Sequence, residues 1–168
     1  MSTGGYLRPG LPAPVPTPDG LDAPFWEGLQ QERLLIQRCD RCGGWQWGPE
    51  FCCHRCRSFD LSYTETEPRG RIYSHERVWH PVHPALAEQG PYIVVLVELP
   101  SADGIRLVGN LLGDPRQDLV IGSEVEGVFE HHQESDPPYT LLQWRVAGGG
   151  DTLNTGRGTS PASPEQEE

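Results

Sequence analysis

The sequence lacks lysine and any long apolar run. All 13 basic residues are arginine, and 24 acidic residues bring the net charge to −11 over 168 residues. The longest apolar run, YIVVLVEL at 92–99, is far shorter than the roughly 20 residues that a transmembrane helix needs. The first residues also lack the apolar stretch of a secretory signal. We therefore expect a protein without membrane spans that works in the cytoplasm.

Sequence motifs of common enzyme classes are absent too. We find no GxSxG nucleophile elbow, phosphate-binding P-loop, dinucleotide-binding GxGxxG pattern or HExxH zinc motif. His75 and Glu76 adjoin on a predicted strand, but such pairs are usually surface contacts. We therefore predict no catalytic residue.

All five cysteines lie within RCDRCGGWQWGPEFCCHRCR, residues 38–57. Two Cys-x-x-Cys pairs, Cys39 with Cys42 and Cys53 with Cys56, form two knuckles. In the reducing cytoplasm such pairs favour a metal over disulfides. Four thiolates suit tetrahedral zinc, or iron in a rubredoxin-like protein. Because four thiolates leave no open coordination position, we predict a structural Zn²⁺ ion.

The extra cysteine leaves a second assignment open. Cys52 would give a three-residue spacing to Cys56, whereas Cys53 gives the regular two-residue spacing. We choose Cys53 and expect Cys52 to pack as a small hydrophobic residue. His54 would be a ligand only in place of a cysteine.

A short amphipathic helix is predicted before the cysteines. Asp22 can cap it, and Phe25 and Leu29 fall one helical turn apart. We expect this helix to cover core. The second interpretation is that Phe25 and Trp26 protrude as aromatic anchors for a partner.

The pattern after the cysteines is all-β. The strand at 92–99 is apolar on both faces, so we expect it to be central and buried. Five strands in about 75 residues fit a small OB-type barrel better than a sandwich. The strands are predicted near Arg71–Trp79, Tyr92–Leu99, Ile105–Leu112, Glu124–His132 and Tyr139–Val146.

Charge is distributed unevenly along the chain. Residues 33–77 sum to +2, whereas residues 78–150 sum to −7. The acidic barrel argues against nucleic-acid binding, which needs basic side chains. The basic region is either solvated charge or a docking site for an anion or an acidic partner. The candidate contacts are Arg55, Arg57, Arg69, Arg71 and Arg77.

The segment WHPVHP places two histidines three residues apart. His80 and His83 could suggest a second metal, but each precedes a proline, which favours extended backbone. A loop that packs on a partner or ligand is the better interpretation. The predicted partner interface is Phe25, Trp26, Trp79, His80, Pro81 and His83.

Four strings together resemble one family: APFWEGL, LLIQRCDRCGGWQWGPEFCCHRC, PYIVVLVELPSADGIRLVGNLLG and IGSEVEGVFE. They resemble acyl-CoA-associated OB-fold proteins with a rubredoxin-like zinc ribbon, first described as a domain of unknown function. The resemblance spans about Leu21 to Val146. It implies a mainly β fold with a short N-terminal helix, a zinc ribbon and a C-terminal five-stranded OB-fold barrel. We divide the chain into an extended Pro-rich arm (1–20), a helical segment (21–36), the ribbon (37–68), the barrel (69–147) and a disordered tail (148–168).

The resemblance implies a partner protein more than an enzyme. Members bind thiolases or thiolase-like aldolases that cleave side-chain acyl-CoA intermediates in steroid degradation, or are fused to acyl-CoA hydratase subunits. Catalysis is attributed to the partner. We expect a non-catalytic accessory subunit of a thiolase-like lyase or acyltransferase complex, with direct acyl-CoA contact possible. The alternative is an acyl-CoA-binding partner of a thiolase or enoyl-CoA hydratase. The metal role falls on Cys39, Cys42, Cys53 and Cys56, although the family often has proline after the third cysteine.

Overall fold

The computed structural model describes residues 20–80, 83–86 and 90–148. Most of the predicted arm and tail therefore lies outside the described residues. The elements are helix α1 (Ala23–Gln30) and strands β1 (Leu34–Cys39), β2 (Trp45–Gln46), β3 (Leu61–Thr66), β4 (Arg69–Val78), β5 (Tyr92–Leu99), β6 (Ile105–Asn110), β7 (Glu124–His132) and β8 (Tyr139–Val146). The predicted fold class is confirmed: one short helix, a ribbon and a nearly closed five-stranded barrel. Among the described residues, no helix has the length and apolar character needed to cross a bilayer.

Helix α1 covers core as expected, and Asp22 precedes it at the N-cap position without a capping side-chain hydrogen bond. Its Phe25 and Leu29 are buried and join one core with Leu34 and Ile36 of β1. Asp22 precedes the helix, yet its carboxylate makes no capping hydrogen bond. Instead, the indole Nε1 of Trp26 donates to Asp22 at 2.8 Å. Asp22 does occupy the N-cap position, and its backbone carbonyl accepts hydrogen bonds from the amides of Phe25 and Trp26, but its carboxylate holds the indole and not an amide of the first turn.

The two sheets follow the order β2-β1-β3 in the ribbon and β6-β5-β4-β7-β8 in the barrel. All ladders are antiparallel. Within residues 20–80, 83–86 and 90–148, the barrel closes without a ladder between β6 and β8, through a parallel bridge between Leu111 and Trp144. Strand β6 ends at Asn110, two residues before the predicted end, and after it the chain passes from β5 to β8 as its hydrogen-bond partner. The amide of Leu111 donates to the carbonyl of Ile93, and that of Leu112 donates to the carbonyl of Trp144.

Strand β4 links the two halves of the barrel. Its first residues pair with β7, and most of its length pairs with β5, with a register shift between Ile72 and Ser74. Such a bulge bends a strand, which a small barrel requires. Gly70 of β4 lies close against the end of β5: a Cβ there would be 2.4 Å from the carbonyl oxygen of Glu98. Only glycine fits at this position without movement of the backbone.

The prediction for strand β5 was half wrong. The strand is central, between β4 and β6. Only alternate residues are buried, however: Ile93, Val95, Val97 and Leu99 face the barrel interior. The opposite face, which includes Leu96, is only partly covered. The apolar character of a residue does not show which part of the protein covers it. No element among the described residues fully covers this outer face of β5.

Candidate functional site

The sulfur atoms of the four predicted cysteines come together in one group. The Sγ atoms of Cys39, Cys42, Cys53 and Cys56 lie within 4.8 Å of one another. The Cys39–Cys56 and Cys42–Cys53 sulfurs are each 3.6 Å apart. A disulfide needs about 2.05 Å, whereas four Zn–S bonds of about 2.3 Å give tetrahedral S–S edges of about 3.8 Å. The group therefore has the donor set and spacing that a four-coordinate zinc ion requires.

Two turns with the same hydrogen-bond pattern build this group. The amide of Gly43 donates to the carbonyl of Cys39 at 2.8 Å, and the amide of Arg57 donates to the carbonyl of Cys53 at 2.9 Å. Both donors have positive φ, +73° at Gly43 and +62° at Arg57. The first knuckle thus has glycine at its left-handed position, whereas the second has arginine, a residue that rarely adopts this conformation.

Backbone amides favour the metal-binding form of one sulfur. Hydrogen bonds from the amides of Cys56 and Arg55 lower the pKa of Cys53 to about 6. The amide of Ser58 lowers the pKa of Cys56, but burial and the neighbouring thiols outweigh it and raise this pKa to about 12. Because the thiolate is the metal ligand, the fold holds Cys53 ready for a cation.

The neighbours of the second knuckle lie outside the sulfur group. Cys52 is half-buried and does not belong to it. His54 is exposed, and its amide donates to Gln46 at 3.2 Å. Gln46 is buried and also donates to Gln37 at 2.6 Å. Sequence reasoning missed these two glutamines. Their position beside a cysteine knuckle was the feature of the sequence that could have pointed to them.

The candidate arginines are largely engaged with other groups. Arg55 contacts Asp103, in the connection between β5 and β6, at 2.8 Å, and this contact raises the pKa of Arg55. Arg77 donates to the carbonyl of Gln117 at 2.5 Å. An anion would have to compete with these partners, so the anion role of both residues stays a prediction.

Arg69 and Arg71 line one cavity of about 260 Å³, but carboxylates share it. Glu67, Glu124 and Glu126 belong to the same wall. Arg71 lies 3.6 Å from Glu124. This wall carries at least as much negative as positive charge. The cavity therefore does not strengthen the expected anion site, and Arg57, which is exposed on the second knuckle, remains a candidate.

The predicted partner residues fall into two groups. Phe25 is only 7% exposed, so it belongs to the core and does not protrude as an anchor. Its ring lies 4.6 Å from that of Trp47 and 5.3 Å from that of the half-buried Trp26. The second group belongs to the connection between β4 and β5, where Trp79 and His80 are exposed and His83 is half-buried. Pro81 lies outside the described residues.

Phe25 and Trp26 line an apolar cavity of about 470 Å³ between α1 and the barrel. Trp47, Val108 and Leu142 belong to the same wall. Sequence reasoning missed these three residues, because only the tertiary fold brings the ribbon, β6 and β8 together.

Two adjacent segments match known domains. Residues 26–62 match the ChsH2 rubredoxin-like zinc ribbon domain, and residues 63–130 match the ChsH2 C-terminal OB-fold domain. With the four clustered sulfurs, the ribbon match identifies the metal as structural zinc.

Solved structures agree with these matches. A chain of the Ltp2-ChsH2(DUF35) aldolase is 38% identical, with a TM-score of 0.67, covering 79% of this chain and 99% of that one. A DUF35 protein of unknown function from Sulfolobus solfataricus shares the fold at 16% identity, with a TM-score of 0.52, covering 76% and 86% of the two chains.

Curated relatives point the same way. A probable enoyl-CoA hydratase alpha subunit from Thermomonospora curvata is 42% identical over 127 residues, which is 75% of this chain and only 38% of the subunit. A DUF35 domain-containing scaffold protein from Methanocaldococcus jannaschii is 27% identical over 111 residues, 65% of this chain and 77% of that protein. The chain belongs to the ChsH2/DUF35 family, in which a rubredoxin-like zinc ribbon precedes an OB-fold barrel.

Proposed function

We propose that this chain is a non-catalytic accessory subunit that binds a thiolase-like enzyme and supports acyl-CoA processing. The observation that carries the proposal is the 38% identity to a chain of the Ltp2-ChsH2(DUF35) aldolase, over 99% of that chain. The related archaeal protein described as a scaffold supports the same role.

The chemistry of the metal centre supports an accessory role. Zinc held by four thiolates has no open position for water or substrate, so it supplies folding energy and no reaction step. That energy is on the order of 10 kcal/mol in small zinc domains. Cys39, Cys42, Cys53 and Cys56 would hold the ion. The task of these residues is to keep α1 and the ribbon fixed against the barrel.

For the reaction of the complex, we propose retro-aldol cleavage of a steroid side-chain acyl-CoA. The support is the aldolase relative together with the family resemblance of the sequence. The partner would carry out bond cleavage, and this chain would stabilise the partner and help to hold the acyl-CoA. Cysteines that bind a metal must stay reduced, and this requirement supports a location in the reducing cytoplasm.

A second candidate partner is an enoyl-CoA hydratase. The 42% identity to part of a probable hydratase alpha subunit favours it. In that case the chain would pair with hydratase subunits and would bring its ribbon and barrel to that complex.

Co-purification and turnover assays test the proposal. The zinc-loaded chain is mixed with the Ltp2 subunit of the related aldolase, and the complex is isolated by size-exclusion chromatography. Cleavage of a steroid side-chain acyl-CoA is then measured for each protein alone and for the pair. We expect turnover by the pair and none by this chain alone. Failure to form a complex, or turnover by the isolated chain, would contradict the proposed function.

A further inference from the structure

We propose that the partner protein docks on one continuous apolar surface that crosses the seam between β6 and β8. We call it the seam face and define it by Trp26, Trp47, Leu96, Val108 and Leu142. This inference rests on the proposed function, because it names the surface that the accessory subunit uses. It differs from the arginine region and from the Trp79–His83 segment that the sequence suggested.

The seam face begins at a gap in the barrel. Strands β6 and β8 form no ladder with each other in the described structure, and just beyond β6 Leu111 forms a single bridge with Trp144. Gln143 spans the gap instead, accepting hydrogen bonds from the amide and the side chain of Asn110 at 3.3 and 3.2 Å. Helix α1 and Trp47 lie over this gap and form the cavity of about 470 Å³. Two tryptophans thus border an open apolar groove.

The groove continues onto the outer face of β5. The strand register places Val108 of β6 beside Leu96 of β5, and Leu96 beside Ser74 of β4. A shallow depression of about 250 Å³ lies on this outer face, where Val94, Leu96 and Val108 form its apolar side and β4 contributes the polar residues Ser74, His75 and Glu76. Val108 belongs to both concavities and is 70% exposed. Contiguous exposed apolar surface of this kind marks sites of interaction with other molecules.

The polar side chains along the groove already have partners. Gln143 donates to Glu130 at 2.8 Å in addition to its bonds with Asn110. Arg106 is held by Glu98 at 2.9 Å and lies 3.4 Å from the ring centre of Tyr73. The groove therefore presents neither arginine nor amide groups ready for the phosphates of a coenzyme. Binding in this groove depends on apolar contact and shape complementarity, as expected when the side chains of another protein fill it.

Charge favours a different protein over a second copy of this chain. The net charge of −11 repels a second copy at long range. Exposed Glu76 of β4 lines the depression on the outer face, and exposed Glu27 follows Trp26 in α1. The complementary surface is an apolar patch with a basic rim, so we assign the occupant as a thiolase-like subunit with that surface.

The test compares a charge placed inside the seam face with one placed outside it. V108E puts a carboxylate at its centre, and V108T keeps the branched shape as a conservative control. V120E is the matched control, because Val120 is 68% exposed and belongs to neither concavity. Zinc content and circular dichroism establish that each variant is folded. Binding of the purified Ltp2 subunit is measured by calorimetry. We expect V108E to weaken binding by about tenfold or more and V120E to change it by less than about twofold.

Each alternative outcome identifies which idea fails. Wild-type affinity in V108E overturns the seam face and leaves the proposed function intact. Absence of binding by the wild type overturns the proposed function and the seam face with it. A loss of affinity in V120E equal to that in V108E overturns the assignment of docking to the seam face. Loss of a wild-type dimer in V108E by light scattering assigns the surface to a second copy instead, and loss of binding to coenzyme A alone assigns it to a small molecule.

Discussion

At the residue scale, one position in the zinc ribbon departs from the usual backbone rule. Gly43 and Arg57 occupy equivalent places in the two knuckles, and both adopt positive φ. Glycine does so without a Cβ penalty, whereas other residues lose about 1–2 kcal/mol. The second knuckle therefore carries an arginine at an energetic cost, and Arg57 is also exposed. Because Arg57 is exposed and Arg55 is already paired with Asp103, Arg57 is the better candidate for contact with an anion or a partner.

Arg57→Gly should stabilise the zinc-loaded chain. Removal of the Cβ relieves the left-handed strain, and the larger entropy of glycine in the unfolded chain offsets part of the gain. We expect the free energy of unfolding to rise by about 0.5–1 kcal/mol, measured by guanidinium denaturation. Arg57→Ala is the control, since it removes the charge and keeps the Cβ. Equal stability of the two variants would contradict this account.

A second residue-scale prediction concerns Gly70. In Gly70→Ala the added methyl group would meet the carbonyl oxygen of Glu98 at 2.4 Å and Cγ1 of Val97 at 2.5 Å. Because a backbone oxygen on a paired strand cannot easily move, we expect a loss of about 2–3 kcal/mol in unfolding free energy. Arg69→Ala, at the exposed neighbouring position, should cost less than about 0.5 kcal/mol. Thermal denaturation of both variants checks this difference.

At the scale of elements, the ribbon and the barrel differ in what stabilises them. The ribbon has short strands and depends on its metal, whereas the barrel supplies most of the residues of the shared buried core, including Ile72, Val97 and Trp144. Helix α1 joins the two by packing against β1 and β8. Loss of the metal should therefore unfold the ribbon before the barrel.

Cys53→Ser and Cys52→Ser separate a zinc ligand from its neighbour. We expect Cys53→Ser to lose most of its zinc and the protection of ribbon amides, while barrel amides stay protected. Cys52→Ser should retain about one zinc ion per chain, because its sulfur is outside the four-sulfur group. Atomic absorption gives the zinc content, and hydrogen exchange gives the protection. Zinc loss in Cys52→Ser that equals the loss in Cys53→Ser would mean that the sulfur assignment is wrong.

The elements were the most predictable part of the fold. Strands β5, β7 and β8 have the predicted bounds, because alternation and turn residues act over a few positions. The burial of Phe25 was less predictable. Its aromatic neighbour Trp47 is 22 positions away, and only folding brings the two rings within 4.6 Å. Covered and uncovered apolar residues look alike in a sequence, so Trp26 was the one residue of the seam face that the sequence predicted as a partner contact.

At the scale of the whole molecule, charge and apolar surface act together. The chain carries −11, and the seam face is apolar with acidic neighbours. Charge governs the rate at which partners meet, whereas the apolar contact governs how long they stay together. Both properties favour a partner with a basic rim.

Salt dependence of association tests the whole-molecule account. We expect the association rate constant with the Ltp2 subunit to fall by about tenfold as the salt concentration is raised from low to physiological or above. The reason is that salt screens the long-range electrostatic attraction between the two proteins. The dissociation rate should change much less. Stopped-flow fluorescence, with Trp26 and Trp47 near the contact, measures both rates. An association rate independent of salt would argue against a basic partner rim.

The sequence by itself determined the four-cysteine pattern, the order of the elements and the family, because knuckles and strands arise from residues close along the chain. The tertiary structure alone decided which side chains are available. It paired Arg55 with Asp103, 48 positions away, buried Phe25 in the core and left Val108 exposed at the seam. The physical reason is that backbone geometry is set locally, whereas burial and charge pairing depend on whichever distant segments the fold brings into contact.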